Sequence, residues 1–371
     1  MRVTRLRLRD FRSYGSADLQ LGDGMTVIQG RNGAGKTNLL EALYVACTGR
    51  SFRTAAEREA IRFGVSVARV ELEAQGPDGP HEITVGLRAG EPKRVRADGV
   101  AVERLADVEA RPLAGVFSPD RLELVKGGPA LRRAHLDQVV AALWPARAEN
   151  RRRYARALAQ RNALLGRLRA GATRRDALGA WDAELASRGI ALMADRGEAM
   201  AQLVSRFRST AGAIGLDGEP NVAYRPRSRA TTAAELAAEL ADRLEADLER
   251  GFTGHGPHRD DVGLVREGRE LRSYGSQGQQ RLALLALLLA ERETIAAARG
   301  APPLMLLDDA MSELDLERRT AVVDLLRGAG GQSVLTTTDL DAVPGARDRG
   351  VARATVSGGA VLEATRDRAA A

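Results

Sequence analysis

The sequence is short of cysteine, lysine and aromatic residues, and each shortage narrows what the chain can be. A single cysteine in 371 residues, Cys47, excludes an intrachain disulfide and a cysteine zinc cluster and points to a reducing, cytoplasmic setting. No apolar run approaches the roughly 18–20 residues of a membrane span, which argues against an integral membrane protein. The opening residues alternate charge with aliphatics and lack the apolar block of a secretory signal. Aromatics make up 4% of the chain, few for the stacking platforms on which single-strand binders rely. Of 56 basic residues only Lys36, Lys93 and Lys126 are lysine, so a lysine is informative wherever it survives.

What is present describes a globular chain long enough for two domains or one domain of two lobes: 44% hydrophobic and 28% charged residues. The net charge of +7 is unevenly placed. Between Leu131 and Arg175 the arginines greatly outnumber Asp137 and Glu149, and the surplus there exceeds that of the whole chain. Such a block is either a set of solvated helix faces or a surface that meets a polyanion by steering and counterion release. With only Trp144 and Tyr154 interleaved, the second reading favours a duplex backbone, with Arg151, Arg152, Arg153 and Arg156 as DNA-contact candidates.

Periodicity predicts strands at Val3 to Leu8 and Met25 to Gln29, then an amphipathic helix over 36–48 with Leu39, Leu40, Leu43 and Cys47 on one stripe. Cys47 therefore reads as core. Residues 66–103 alternate between turn pairs, predicting an antiparallel meander. From about residue 120 the texture is helical: Leu136, Val139, Val140, Leu143 and Trp144 form a stripe that Tyr154, Leu158, Leu164, Leu165 and Leu168 continue. Leu236, Leu240, Leu244 and Leu248 predict a helical seam, 217–231 a connector and 262–272 strand. A buried strand at 303–307, a helix near 317–327, a strand at 333–337 and a hairpin around Gly358-Gly359 complete the reading, with a frayed alanine-rich tail at 367–371.

Three motifs carry chemistry. Gly30-Arg31-Asn32-Gly33-Ala34-Gly35-Lys36-Thr37, followed by Asn38, fits the phosphate-binding loop between a strand and a helix. Its glycines let backbone N–H groups cradle phosphate oxygens at a helix N-terminus. Lys36 supplies charge to the outer phosphates, and the Thr37 hydroxyl a ligand for Mg2+. The run Pro303 to Leu307 ends in Asp308 and Asp309, two acids where α/β sites lie. Asp308 suits Mg2+ held through water, and Asp309 a general base for the attacking water. Ser276, followed three residues later by Gln279, forms a capping box ahead of the apolar helix 282–290. Ser276, Gln277, Gly278 and Gln279 then either cap that helix and nothing more, or present a second anion-binding surface to another subunit's nucleotide.

These motifs, with Leu306-Leu-Asp-Asp-Ala-Met-Ser312-Glu-Leu-Asp315, resemble the Walker A, signature, Walker B and D-loop of ABC-type ATPases of the DNA-repair branch near SMC proteins. Phe117-Ser-Pro-Asp120, Leu122 to Gly127, Gln160-Arg-Asn162, Gly256-Pro-His-Arg-Asp-Asp261 and Ser276-Gln-Gly-Gln-Gln-Arg281 narrow the resemblance to the RecF family of bacterial recombination mediators. The resemblance implies an α/β ABC-type head with a mixed sheet lobe (1–118 and 300–371) and an inserted, mainly helical, arginine-rich lobe carrying the signature (119–299). It implies ATP and Mg2+ as cofactors, slow DNA-dependent ATPase activity used as a switch, and an ATP-dependent homodimer on duplex or gapped DNA. It also implies partnership with RecR, with RecO and RecA downstream, in repair, replication restart and SOS induction. Two departures stand out: Asp309 replaces the usual glutamate, and Thr338-Asp339 occupies the place of the switch histidine. Ser312 and Asp315 fall in the D-loop. An ABC transporter ATPase subunit and a P-loop kinase are the alternatives.

Overall fold

The structure, a computed structural model, describes residues 1–108 and 110–365; the tail at 367–371 lies outside the described residues. Two compact units emerge, Met1–Leu122 with Ala213–Gly215 and Leu284–Ala371, and Glu123–Gly212 with Leu216–Ala283.

In the first unit, β1 (Arg2–Phe11) and β2 (Tyr14–Gln20) form a hairpin ahead of β3 (Met25–Gln29), α1 (Lys36–Thr48), β4 (Val67–Gly76), β5 (Gly79–Arg88), β6 (Arg94–Ala97), β7 (Val100–Val102) and β8 (Ala114–Phe117). The second unit holds α2 (Glu123–Lys126), α3 (Pro129–Leu143), α4 (Ala148–Arg169) and most of α5 (Gly179–Ala213). It continues with β9 (Pro220–Arg225), α6 (Ala233–Asp242), α7 (Leu244–Arg250), β10 (Asp261–Arg266), β11 (Arg269–Glu270) and α8 (Leu271–Tyr274). The helix α9 (Gln277–Arg299) leads back to β12 (Leu304–Leu307), α10 (Leu316–Gly328), β13 (Ser333–Thr337), β14 (Ala352–Ser357) and β15 (Ala360–Thr365).

The first unit has two six-stranded sheets. One is antiparallel, ordered β2-β1-β4-β5-β6-β7; the other, ordered β15-β14-β3-β13-β12-β8, is parallel except for β15. The alternation at 66–103 becomes the meander β4 to β7, with Val70, Leu72, Ile83, Val85 and Val95 turned inward. α1 shares one core with both sheets. It is therefore buried from Leu39 to Cys47 instead of on one stripe, because an amphipathic helix needs a solvent face that a layer between sheets lacks. Cys47 is core as expected, and burial pushes its thiol up to about 12, which keeps it unreactive.

Three other expectations change. The stretch 217–231 contains β9, the edge strand beside β10; its Pro and Arg residues sit at the strand's ends, so the breaker signal marked termini. The seam at 236–248 is interrupted at Arg243 between α6 and α7, and Asp247 takes the buried place that the repeat gave to leucine. The strand expected over 262–272 ends in a turn at Glu267-Gly268, and residues 271–274 form a helical turn. The apolar helix read over 282–290 is the middle of a longer one, α9, and the other strands and helices fall near their sequence bounds. Among the described residues no helix is long and apolar enough to cross a membrane.

Candidate nucleotide site

The parallel order brings the carboxyl ends of β3, β13, β12 and β8 to one edge of the sheet. Gly30 closes β3, and a Cβ there would meet the Val356 carbonyl at 2.5 Å, so only glycine fits. Gly35 has φ 111° and lies against the Tyr14 ring, whose hydroxyl donates to the Gly35 carbonyl at 3.1 Å. Arg31, Asn32 and Gly33 are exposed, whereas Ala34 and Lys36 are buried. The Lys36 ammonium donates to the Gly30 and Arg31 carbonyls at 2.7 and 3.2 Å. Burial lowers its pKa, against the pull of Asp309 and Asp308. Asn38 bonds the Ser13 hydroxyl at 2.9 Å and accepts from Arg53.

Thr37, at the start of α1, donates towards both carboxylate oxygens of Asp308, at 3.0 and 2.8 Å. Asp308 is buried, which raises its pKa, while Thr336, Thr37 and Lys36 oppose the rise. Asp309 adopts φ 48°, an unfavourable left-handed conformation for a residue with a side chain. It is held there by its N–H, which donates to the Thr336 hydroxyl at 2.9 Å, and by its carbonyl, which accepts from Ser312 at 3.0 Å. Asp315 caps α10 through the Arg318 N–H.

Sequence reasoning missed Thr336. Its hydroxyl donates to Asp308 at 2.8 Å and accepts from Asp309, tying the two acids together. A polar side chain at the penultimate position of a buried strand was the available signal. Thr338 lies just past β13; Asp339 caps the following turn by accepting from the Asp341 N–H, so neither shares the hydroxyl contacts of Thr336.

The oxygen-only donor set of Thr37 and Asp308 fits Mg2+, which keeps several waters and uses one or two carboxylates beside substrate phosphates. Among the described residues no group of three or more His, Cys, Asp or Glu is gathered for another metal.

The second unit holds the other motifs. Ser276 and Gln279 form the expected reciprocal box: the Ser276 N–H donates to Gln279 Oε1 at 2.9 Å, and the Gln279 N–H to Ser276 Oγ at 3.2 Å. Ser276, Gln277 and Gly278 are exposed. The arginine block is less bare than its sequence, because carboxylates from distant positions meet it. Arg132 pairs with Asp261, Arg147 with Asp195 and Glu198, Arg161 with Asp182 and Asp247, and Arg175 with Glu245. Arg152, Arg153 and Arg156 pair with Glu149, and Arg151 with Asp137; Arg151, Arg153 and Arg156 remain exposed.

Gln160-Arg-Asn162 and Gly256 to Asp261 are braces. Asn162 accepts from the Thr253 N–H and hydroxyl. Asp260 accepts from Tyr224, the Arg227 N–H and Arg196. His258 donates from Nε2 to the Thr253 carbonyl at 2.9 Å, leaving Nδ1 to accept from Tyr154 at 2.7 Å.

A P-loop after β3, a carboxylate pair after β12, two places along in the same parallel sheet, and a second, helical unit define a P-loop ATPase head of the ABC/SMC class. The profile described as the RecF/RecN/SMC N terminal domain matches residues 2–354. The DNA replication and repair protein RecF of Myxococcus xanthus is 41% identical, with 93% of each chain covered. The structure of the recombination mediator protein RecF with ATP, in the RecFOR pathway, matches with a TM-score of 0.87 at 27% identity over 97% of both chains. An Smc head bound to the C-winged helix domain of ScpA shares the fold alone, at TM-score 0.60 and 15% identity, over 99% of this chain and 98% of that one. The chain belongs to the RecF family.

Proposed function

We propose that the protein is an ATP-dependent DNA clamp: two copies pair around two ATP molecules, hold duplex or gapped DNA, and reopen on hydrolysis. The carrying observation is that the nucleotide residues are incompletely used. Among the described residues the Lys36 ammonium bonds the Gly30 and Arg31 carbonyls, while Ser276, Gln277 and Gly278 stand exposed at a helix N-terminus, where an anion is favoured.

In this reading the backbone N–H groups of residues 30–35 and the Lys36 ammonium bind the phosphates. Bound Mg2+ supplies neutralisation of charge on the β- and γ-phosphates. Thr37 and Asp308 would hold that ion, Asp308 by way of a water. Thr336 fixes Asp308 and the Asp309 backbone together, and Asp309 accepts the proton of the attacking water. Ser276 to Gln279 of one copy cover the nucleotide of the other, with Ser312 and Asp315 lining the contact and Thr338 or Asp339 reaching the γ-phosphate through water. Aspartate reaches less far than glutamate, so turnover is slow and acts as a switch. The exposed arginines Arg151, Arg153 and Arg156, with Arg152, meet the DNA backbone. The name of the Myxococcus relative and the pathway of the ATP-bound structure support a place in repair beside RecO and RecR; action on RecA downstream, in the bacterial cytoplasm, is part of the proposal.

Duplex DNA binding measured together with solution mass, in ATP, in ADP and without nucleotide, tests the reading. ATP alone is expected to double the mass and tighten DNA binding; a monomer in all three conditions overturns it.

A further inference from the structure

The Ser118 hydroxyl has no role in the site described so far. Ser118 is 2% exposed, and its Oγ has no hydrogen-bond partner among the described residues. A buried hydroxyl left unpaired is destabilising, and Ala or Cys would fill the same space without that penalty.

Its position is set by the strand ladder. Phe117 of β8 is level with Leu307 of β12, and Leu307 with Leu335 of β13. The Asp308 N–H donates to the Phe117 carbonyl at 2.8 Å, so the ladder runs one step further, and Pro119 favours an extended Ser118. Ser118, Asp308 and Thr336 therefore form one row across three parallel strands. Side chains alternate between faces along a strand, and the preceding residues of the same parity, Val116, Leu306 and Val334, share a core with Leu39, Leu40 and Leu43 of α1. The row faces α1, and Thr37 at the start of that helix already reaches Asp308. The Asp308–Thr336 hydrogen bond confirms that two members of the row lie on one side.

We propose that Ser118 is a positioning residue for the metal–nucleotide complex, its hydroxyl bonding the water shell of the cation beside Asp308. The proposal rests on the ATPase reading above. It gives the orphaned hydroxyl a partner that is present only in the loaded protein. It also extends the polar row to the third strand: a carboxylate flanked by two hydroxyls, one bound in the free protein and one kept open.

The test uses the full chain with Mn2+ in place of Mg2+, free Mn2+ being read by its electron paramagnetic resonance signal in the presence of a slowly hydrolysed ATP analogue. Ser118→Ala and Ser118→Cys are each expected to raise the Mn2+ concentration for half-saturation about tenfold, the lower end for losing an outer-shell partner. Nucleotide affinity in EDTA and the unfolding midpoint of the free protein should stay the same or rise. Wild-type Mn2+ affinity in both variants overturns the proposal, as does an equal loss of free-protein stability in both, which would make the hydroxyl structural. A wild-type chain whose nucleotide binding ignores the metal would instead remove the ATPase reading, and this proposal with it.

Discussion

Charged groups are treated in opposite ways at the nucleotide edge of the first unit and in the helical second unit. At the sheet edge, Lys36 leans on two carbonyls, Asp308 on two hydroxyls, and Asp309 is held by its backbone alone among the contacts described. These neutral partners can be exchanged for phosphate, metal and water. In the second unit the buried charges meet full counter-charges. Arg161, with no exposed surface, donates to Asp182 at 2.6 Å, to Asp247 at 2.7 Å and to the Thr253 hydroxyl, while Arg196 spans Asp137 and Asp260. Charges so closed off from solvent and tied to fixed carboxylates hold helices in place. Titratable residues in the sequence motifs thus serve two ends, and the partner's chemistry tells them apart.

Two substitutions would break the contrast if it is wrong. Arg161→Met leaves Asp247 buried beside an apolar side chain, and removing one partner of a buried pair costs about 3–5 kcal/mol. Urea unfolding should show that loss, with ATP affinity unchanged in whatever fraction stays folded; a loss under about 1 kcal/mol would make the brace superfluous. Lys36→Met should do the reverse. Losing a charge-assisted contact of about 1.5–3 kcal/mol weakens ATP binding about 10- to 100-fold. The unfolding midpoint of the free protein should hold or rise, since a cation with only carbonyl partners is removed from a partly buried place. Unimpaired affinity by calorimetry would take Lys36 out of the phosphate site.

The nucleotide edge was legible because its geometry is local. Gly30 to Thr37 must turn between β3 and α1, and an apolar run ending in Asp308-Asp309 leaves few alternatives to a buried parallel strand. Thr336 was not legible, since its role depends on β13 lying between β3 and β12, a long-range order that no periodicity encodes. The arginine block misled in charge for the same reason: Asp182, Asp195, Glu198, Glu245, Asp247 and Asp261 come to it from outside the window. The interruption of the leucine seam also has this origin. Asp247 is buried because Arg161, 86 positions away, is there to meet it, and a leucine repeat read alone points to one continuous helix.

The smallest expected effect sharpens the comparison through pH. His258 sits among Tyr154, Thr253, Arg259, Arg133 and Asp247, and burial lowers its pKa to about 4, with the two arginine charges adding to the fall. In the unfolded chain the group titrates near 6.5. Between those values the unfolded state takes up a proton that the folded state refuses, so the stability present above pH 6.5 is lost as pH falls towards 4. The full window is worth at most about 3 kcal/mol, and relaxation around a partly exposed ring brings it to the order of 1–2 kcal/mol. Asp308 works in the other direction, because its raised pKa makes the folded state the better proton binder and its contribution declines as pH rises. Subtracting the unfolding curves of a His258→Gln variant from those of the wild type, at pH 7 and at pH 4.5, isolates the imidazole. The wild type should lose about 1–2 kcal/mol more than the variant over that interval. Equal losses would mean that His258 takes up its proton without disturbing the brace, and that the second unit is less closed to exchange than its ion pairs indicate.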